Sequence, residues 1–198
     1  MRVLSVWVVV ILSLVFVGAA SAGIPNASTS TVVAVGEGVA ACNPDVTVVC
    51  PASDYGWIKI TVTVRNIYGD PLPGKTVTCY CIVPDTCDIC FCPGEDPQVD
   101  VTDANGEVDF YYTDMGGCCD LEWGAECESV ILGPSNTIFV ASFDIGNDCI
   151  VELIDFGEFA LAYYSSDPCF DYNCDGVVEL IDFGEFALHY YHQCPPAN

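Results

Sequence analysis

The sequence predicts an all-β sandwich rich in disulfides, followed by a small all-α pair of loop–helix units. Three observations predict it. Between residues 31 and 142, runs of Val, Ile, Thr, Tyr and Phe with partial period-two alternation are separated by Gly, Pro and Asn turns. Beyond residue 142 the eleven residues VELIDFGEFAL occur twice, at 151–161 and 178–188, an offset of 27. A repeat of that length is one structural unit used twice. Fourteen cysteines in 198 residues point to a disulfide framework in an oxidising compartment.

The chain opens with a secretory leader over residues 1–22. Arg2 supplies the positive start, residues 3–17 the apolar run, and Ala20-Ser21-Ala22 the small-residue cleavage site. The alternative, an uncleaved anchor, is disfavoured by that A-x-A pattern, and Gly23 stands where a lipid-anchored chain needs Cys. No later apolar run is long enough to span a bilayer, so the mature chain is expected to be secreted or at the cell surface, with no membrane insertion after cleavage. Residues 23–30, with the sequon Asn26-Ala27-Ser28, read as a flexible tail. Acidic side chains number 28 against four basic ones, a formal net charge of −24. Only Lys59, Arg65 and Lys75 follow the leader. Such a surface repels nucleic acid and attracts divalent cations. At 52% hydrophobic residues, the composition is not that of a disordered acidic tail.

The strands are expected at DVTVV (45–49), WIKITVTV (57–64), KTVTCYC (75–81), VDFYY (108–112) and NTIFVAS (136–142). Turn signals separate them: Tyr68-Gly69-Asp70-Pro71, Pro73-Gly74, and Asn105-Gly106, a dipeptide suited to a tight hairpin. In order, ITVTVRNIYGDPLPGKTVT, VTDANGEVDFYYT and NTIFVASF resemble the bacterial immunoglobulin-like repeat of invasin and intimin stalks, over residues 31–142. The resemblance implies an immunoglobulin-like sandwich acting as a spacer or adhesive module. Two Cys-rich stretches, CYCIVPDTCDICFCPGED and GGCCDLEWGAEC, depart from that pattern and read as insertions. Cys79, Cys81, Cys87, Cys90 and Cys92 have spacings that a zinc site could use. The segment has no His, however, and its ten cysteines are expected to pair as five bridges.

The repeat carries the clearest chemistry. From Asp171, twelve residues place Asp171, Asn173, Asp175, the Val177 carbonyl, Glu179 and Asp182 at positions 1, 3, 5, 7, 9 and 12, with Gly176 at position 6. These are the oxygen-ligand slots and the turn glycine of an EF-hand-type calcium loop. In the first copy Asp144, Asp148, the Ile150 carbonyl, Glu152 and Asp155 fit. Position 3 is Gly146, which has no side-chain oxygen. Cys149 replaces the turning glycine in a conformation that costs an L-residue about 1 kcal/mol or more. Two calcium sites are expected, the first weaker. The competing reading is a pair of acidic surface turns.

After each loop, LIDFGEFALxYY has helical spacing, with Phe156, Phe159, Ala160 and Tyr163 matched by Phe183, Phe186, Ala187 and Tyr190. Too little chain precedes either loop for a leading helix. Paired loop–helix units of this kind closely resemble a dockerin over residues 143–194, leaving 195–198 as a tail. The resemblance implies calcium-dependent docking to a cohesin-like or cell-surface partner. It also implies that positions 10 and 11, Leu153-Ile154 and Leu180-Ile181, help to choose the partner, unless they lie in the module's own core. Because the copies are identical there, one partner could bind in either of two orientations. Of the three connectivities open to the last four cysteines, Cys149–Cys174 and Cys169–Cys194 are favoured, as clips within the module.

His189 and His192 are the only histidines, both in the tail of the last helix, so no His-based triad and no His-ligated catalytic metal is expected. The expected function is therefore non-catalytic docking. An accessory carbohydrate-binding or small hydrolytic component, using Trp57 and Trp123 against polysaccharide, is the alternative. A purely structural calcium pair is the third.

Overall fold

The computed structural model describes residues 23–38, 41–43 and 45–196; the expected leader at 1–22 lies outside them. The strands are β1 (Thr31–Gly38), β2 (Ala41–Asn43), β3 (Val46–Val49), β4 (Gly56–Thr63), β5 (Thr76–Ile82) and β6 (Ile89–Phe91). They continue as β7 (Gln98–Val101), β8 (Glu107–Tyr112), β9 (Met115–Gly117), β10 (Cys119–Cys127), β11 (Val130–Leu132) and β12 (Ile138–Ser142). Two ten-residue helices, α1 (Leu153–Ala162) and α2 (Leu180–His189), close the described chain.

The fold is predominantly β. One sheet has the order β1-β4-β8, the larger has β2-β3-β12-β10-β5-β7 with β11 beside β10, and β6-β9 form a ribbon. The larger sheet is curled and mixed. Strand β10 changes neighbours along its length, from β12 at Cys119–Leu121 to β11 at Ala125–Cys127, and β12 pairs with β3 in parallel. One core fills the space between the two main sheets. Ile58, Ile60 and Val62 of β4 share it with Leu121, Trp123 and Ala125 of β10, and the rings of Tyr112 and Trp123 lie 5.6 Å apart. Full burial of each such side chain contributes about 1.5–3 kcal/mol.

The five expected strands are present, but two expectations about the chain between them are corrected. GGCCDLEWGAEC is not an insertion. It contains β10, the strand that pairs with β5, β11 and β12, and its Cys119, Leu121, Trp123, Ala125 and Cys127 alternate inward. Asn105-Gly106 does not close a hairpin, because β7 pairs with β5 and β8 with β4. The turn instead carries the chain from one sheet to the other. Gly106 sits at φ +76, where a Cβ would approach the Val64 carbonyl to 2.6 Å. The stretch before β1, expected as a tail, is bonded to the loop after β4. The Asn26 N–H donates to the Arg65 carbonyl and the Thr29 hydroxyl to that of Asn66.

The C-terminal segment is not a free-standing dockerin module. Phe143, Val151, Phe159, Phe170, Tyr172, Val178 and Phe186 form one buried cluster with Val48, Cys50 and Ala141 of the β region. Three disulfides cross the expected boundary: Cys90–Cys149, Cys92–Cys194 and Cys118–Cys169. The favoured Cys149–Cys174 and Cys169–Cys194 pairings are therefore wrong. The reason lies in how the units pair. Val178 exchanges backbone hydrogen bonds with Tyr164 and Ser165 after α1, and Val151 with Tyr191 and His192 after α2. Each loop thus meets the tail of the other helix, and loop one faces the β6–β9 ribbon. Cys87–Cys119 lies within the β region, and Cys174 is also disulfide-bonded. Cys50, Cys79, Cys81 and Cys127 are thiols, so the ten β-region cysteines do not make five bridges among themselves. With Cys87, Cys90 and Cys92 all oxidised, the zinc alternative there is excluded.

Peptide mapping of the unreduced protein should recover the Cys90–Cys149, Cys92–Cys194 and Cys118–Cys169 linkages. A Cys149–Cys174 or Cys169–Cys194 peptide would contradict the structure. Replacing Cys118 and Cys169 together by Ala should cost about 2–4 kcal/mol in urea unfolding.

Candidate metal centre

Loop two is wound on its own carboxylates. Asp171 at position 1 accepts the Asp175 N–H on Oδ1 at 3.1 Å and the Gly176 N–H on Oδ2 at 2.8 Å. Asn173 Oδ1 takes a second bond from the Asp175 N–H at 2.9 Å, and Asp175 Oδ1 accepts from Val177 at 3.0 Å. Asp182 closes the ring, accepting from Asn173 at 3.1 Å and from Glu179 at 2.8 Å. Its reach back to Glu179, the N-cap of α2, is one half of a capping box. Gly176 turns the chain at φ +93.

Loop one repeats these bonds at the equivalent atoms. Asp144 accepts from Asp148 at 3.3 Å and Cys149 at 2.7 Å, and Asp148 from Ile150 at 3.1 Å. Asp155 accepts from Gly146 and from Glu152, both at 2.7 Å. The departures fall where expected. Gly146 offers no side-chain oxygen, and Cys149 takes the glycine's left-handed conformation at φ +67, held there by its bond to Cys90.

The electrostatics of the loops are unbalanced. Asp144, Asp155 and Asp182 are at most 1% exposed and Asp171 9%. The sequence has no Lys or Arg after Lys75, and the ion pairs among the described residues, Lys59–Asp109 and Lys75–Glu128, lie in the β region. Buried charge without a counter-charge is costly. Burial, with the charges of Asp155 and Asp148 added, pushes Asp144 up to about 7 against the lowering effect of its backbone bonds. No three carboxylates of a loop converge within 4.8 Å among the described residues; each rests on loop N–H groups. The oxygen donor set fits a hard divalent cation of flexible coordination, six to eight oxygens in the case of calcium.

The residues expected to contact a partner are outside the core. Leu153 and Leu180 are each 69% exposed, Ile154 59% and Ile181 54%. Beside them run two apolar grooves of 310 and 290 Å³. Phe156, Phe159, Ala160, Tyr163, Leu180 and Phe183 line the first, and the repeat offset maps every one of these onto a residue lining the second. The two tryptophans considered for sugar stacking differ in exposure. Trp123 is fully buried, and half-buried Trp57 donates its indole N–H to Glu37 at 3.0 Å.

One cluster had no signature in the sequence. Cys50 Sγ and His192 Nδ1 lie 3.3 Å apart, and His192 Nδ1 is 3.3 Å from His189 Nδ1. Burial, then Asp114 and Asp144, push the Cys50 thiol well above its ordinary value. Burial and then His192 push His189 down. Cys50 is 142 residues from His192, so only the fold could bring them together.

No protein-family model matches the chain, and no curated protein matches it. With no family match, and with the described chain mostly β with two short helices, both the dockerin and the invasin-type resemblances are set aside.

In protein stripped of divalent ions, Asp144 keeps its proton to about pH 7 when folded, whereas an unfolded Asp loses it near about pH 4. Between those values the folded state binds more protons, so stability should fall as pH rises and level off above about 7. Urea midpoints across this range measure the fall, and Asp144→Asn should flatten it. An equal fall in the variant would remove Asp144 as its cause.

Proposed function

We propose that this is an exported, non-catalytic module that binds calcium in its twin loops and presents its paired helices to a protein partner at the cell surface. The observation that carries the reading is the matching winding of two loops on buried carboxylates that have no basic side chain to balance them. Calcium would supply the missing positive charge. Asp171, Asp175, Glu179 and Asp182, the Asn173 amide and the Val177 carbonyl form the stronger set. Asp144, Asp148, Glu152, Asp155 and the Ile150 carbonyl form the weaker one. The two facing sheets are read as an immunoglobulin-like sandwich that serves as spacer. Disulfides suit an oxidising, extracellular setting, and among the described residues no helix is long and apolar enough to cross a membrane.

The partner surface rests on exposed Leu153, Ile154, Leu180 and Ile181 and the two matched grooves. Contiguous apolar surface on so acidic a chain marks an interaction site. Among the described residues no fully exposed tryptophan favours polysaccharide.

Calorimetric titration of calcium into the oxidised, metal-stripped protein should show two binding events. The tighter should vanish in Asp171→Ala/Asp182→Ala and the weaker remain. Silence at about millimolar calcium, the weak end for extracellular modules, would sink the reading. In calcium, immobilised protein should retain a surface protein of the source cells. Leu153→Asp/Ile154→Asp or Leu180→Asp/Ile181→Asp alone should leave retention in place through the other face, and the fourfold variant should abolish it. Calcium binding with no retained protein would make the pair purely structural.

A further inference from the structure

The Cys50–His189–His192 cluster shares no residue with the acidic loops and carries a different chemistry. Its three donor atoms, one sulfur and two imidazole nitrogens, all lie within 4.8 Å of one another. The end of β3 places one and the end of α2 the other two. Cys50 follows β3, whose parallel pairing to β12 leaves it fully buried. His189 ends α2, stacked on Phe143 at 4.4 Å with an interplanar angle of 14° and edge-on to Tyr55 at 4.6 Å. His192 is fixed by its backbone, its N–H donating to the His189 carbonyl and its own carbonyl accepting from Val151.

Hydrogen bonding accounts poorly for this arrangement. His192 Nδ1 faces a thiol and a second Nδ1 at 3.3 Å each, and its single in-plane position serves one of them. The thiol has another acceptor, the Pro51 carbonyl, at 3.6 Å. Tetrahedral zinc geometry suits both 3.3 Å separations, and the third pair, Cys50 Sγ and the His189 nitrogen, lies within 4.8 Å. Bonds of about 2.0–2.1 Å to nitrogen and 2.3 Å to sulfur put two imidazole nitrogens about 3.3–3.4 Å apart, and sulfur about 3.5 Å from nitrogen.

We propose that Cys50, His189 and His192 bind one zinc ion, with a fourth position open to water. An ion held there ties the end of β3 to the end of α2, across the same boundary that the disulfides cross. The site is chemically separable from the loops, because thiolate and imidazole select zinc whereas calcium takes only oxygen.

The test is zinc titration of the oxidised, metal-stripped full chain in saturating calcium, which occupies the oxygen sites. One zinc should bind per chain. The cobalt-substituted protein should show a thiolate-to-metal charge-transfer band that Cys50→Ser removes. Losing even an outer partner of a zinc ligand costs about 10–100-fold in affinity. Cys50→Ser and His192→Gln should therefore each weaken zinc by at least that much. His192→Gln is the decisive variant if Cys50→Ser does not fold, because His192 is partly exposed and its packing is slight. Unchanged zinc affinity in a folded His192→Gln, a cobalt spectrum without sulfur character, or no zinc bound in calcium would each overturn the proposal. In those cases the two imidazoles simply share a proton.

Discussion

Strand β12 runs without a linker into the first acidic loop, and the rest of the C-terminal half is organised by that junction. Phe143, the first residue past the strand, packs against Tyr55, Tyr172 and His189. Asp144, the next, lies in both worlds. Its backbone carbonyl accepts the Gly117 N–H of the β6–β9 ribbon at 2.6 Å, while its side chain winds loop one. Gly116 makes room for it, since a Cβ there would collide with the Asp144 carboxylate. The charge most in need of a counter-ion is therefore seated in the sheet's own edge, and loop one cannot rearrange without disturbing the ribbon.

Duplication explains the symmetry and its limits. Glu152 and Glu179 cap their helices with backbone angles within 2° of each other, and Tyr164 and Tyr191 leave them at φ +66 and +70. Phe156 and Phe183 face one another at 5.9 Å across the axis that relates the two grooves. Beyond the changes at positions 3 and 6, the surroundings differ. Loop one is bonded to Cys90 and partly covered by the ribbon, with Asp144 buried, whereas Cys174, Asp175, Gly176 and Val177 of loop two are exposed. Two related loops thus hold a similar winding at different depths, the middle of loop one partly covered and the middle of loop two exposed.

Much of this was legible in residue patterns with short-range causes. Period-two runs gave five strands, and the loop spacing anticipated the left-handed turn at Cys149. What was missed depends on distance. Cysteine partners 51 to 102 residues apart follow from topology, and even counts on either side of a boundary do not confine the bridges. The fold class drifted for a related reason: a repeat with helical spacing looked autonomous, yet its apolar faces complete a core begun by Val48 and Ala141. Strand β10 is the instructive failure. Its C-x-L-x-W-x-A-x-C alternation is a plain inward face, but the cysteines drew attention to cross-linking and away from periodicity.

The Cys92–Cys194 bond has a mechanical consequence. It joins the middle of the β region to the last residues of the described chain, closing a covalent ring around everything between. Under tension between the two ends of the described chain, the shortest covalent path runs from Cys92 directly to Cys194, while Cys87–Cys119 and Cys90–Cys149 also lead into that ring. Both acidic loops, both helices and the grooves lie inside it. Anchored at one end and pulled at the other, the described chain cannot draw Cys92 and Cys194 apart, so the segment between them adds nothing to its covalent length. Whatever the loops and grooves hold is carried beside that shortest path.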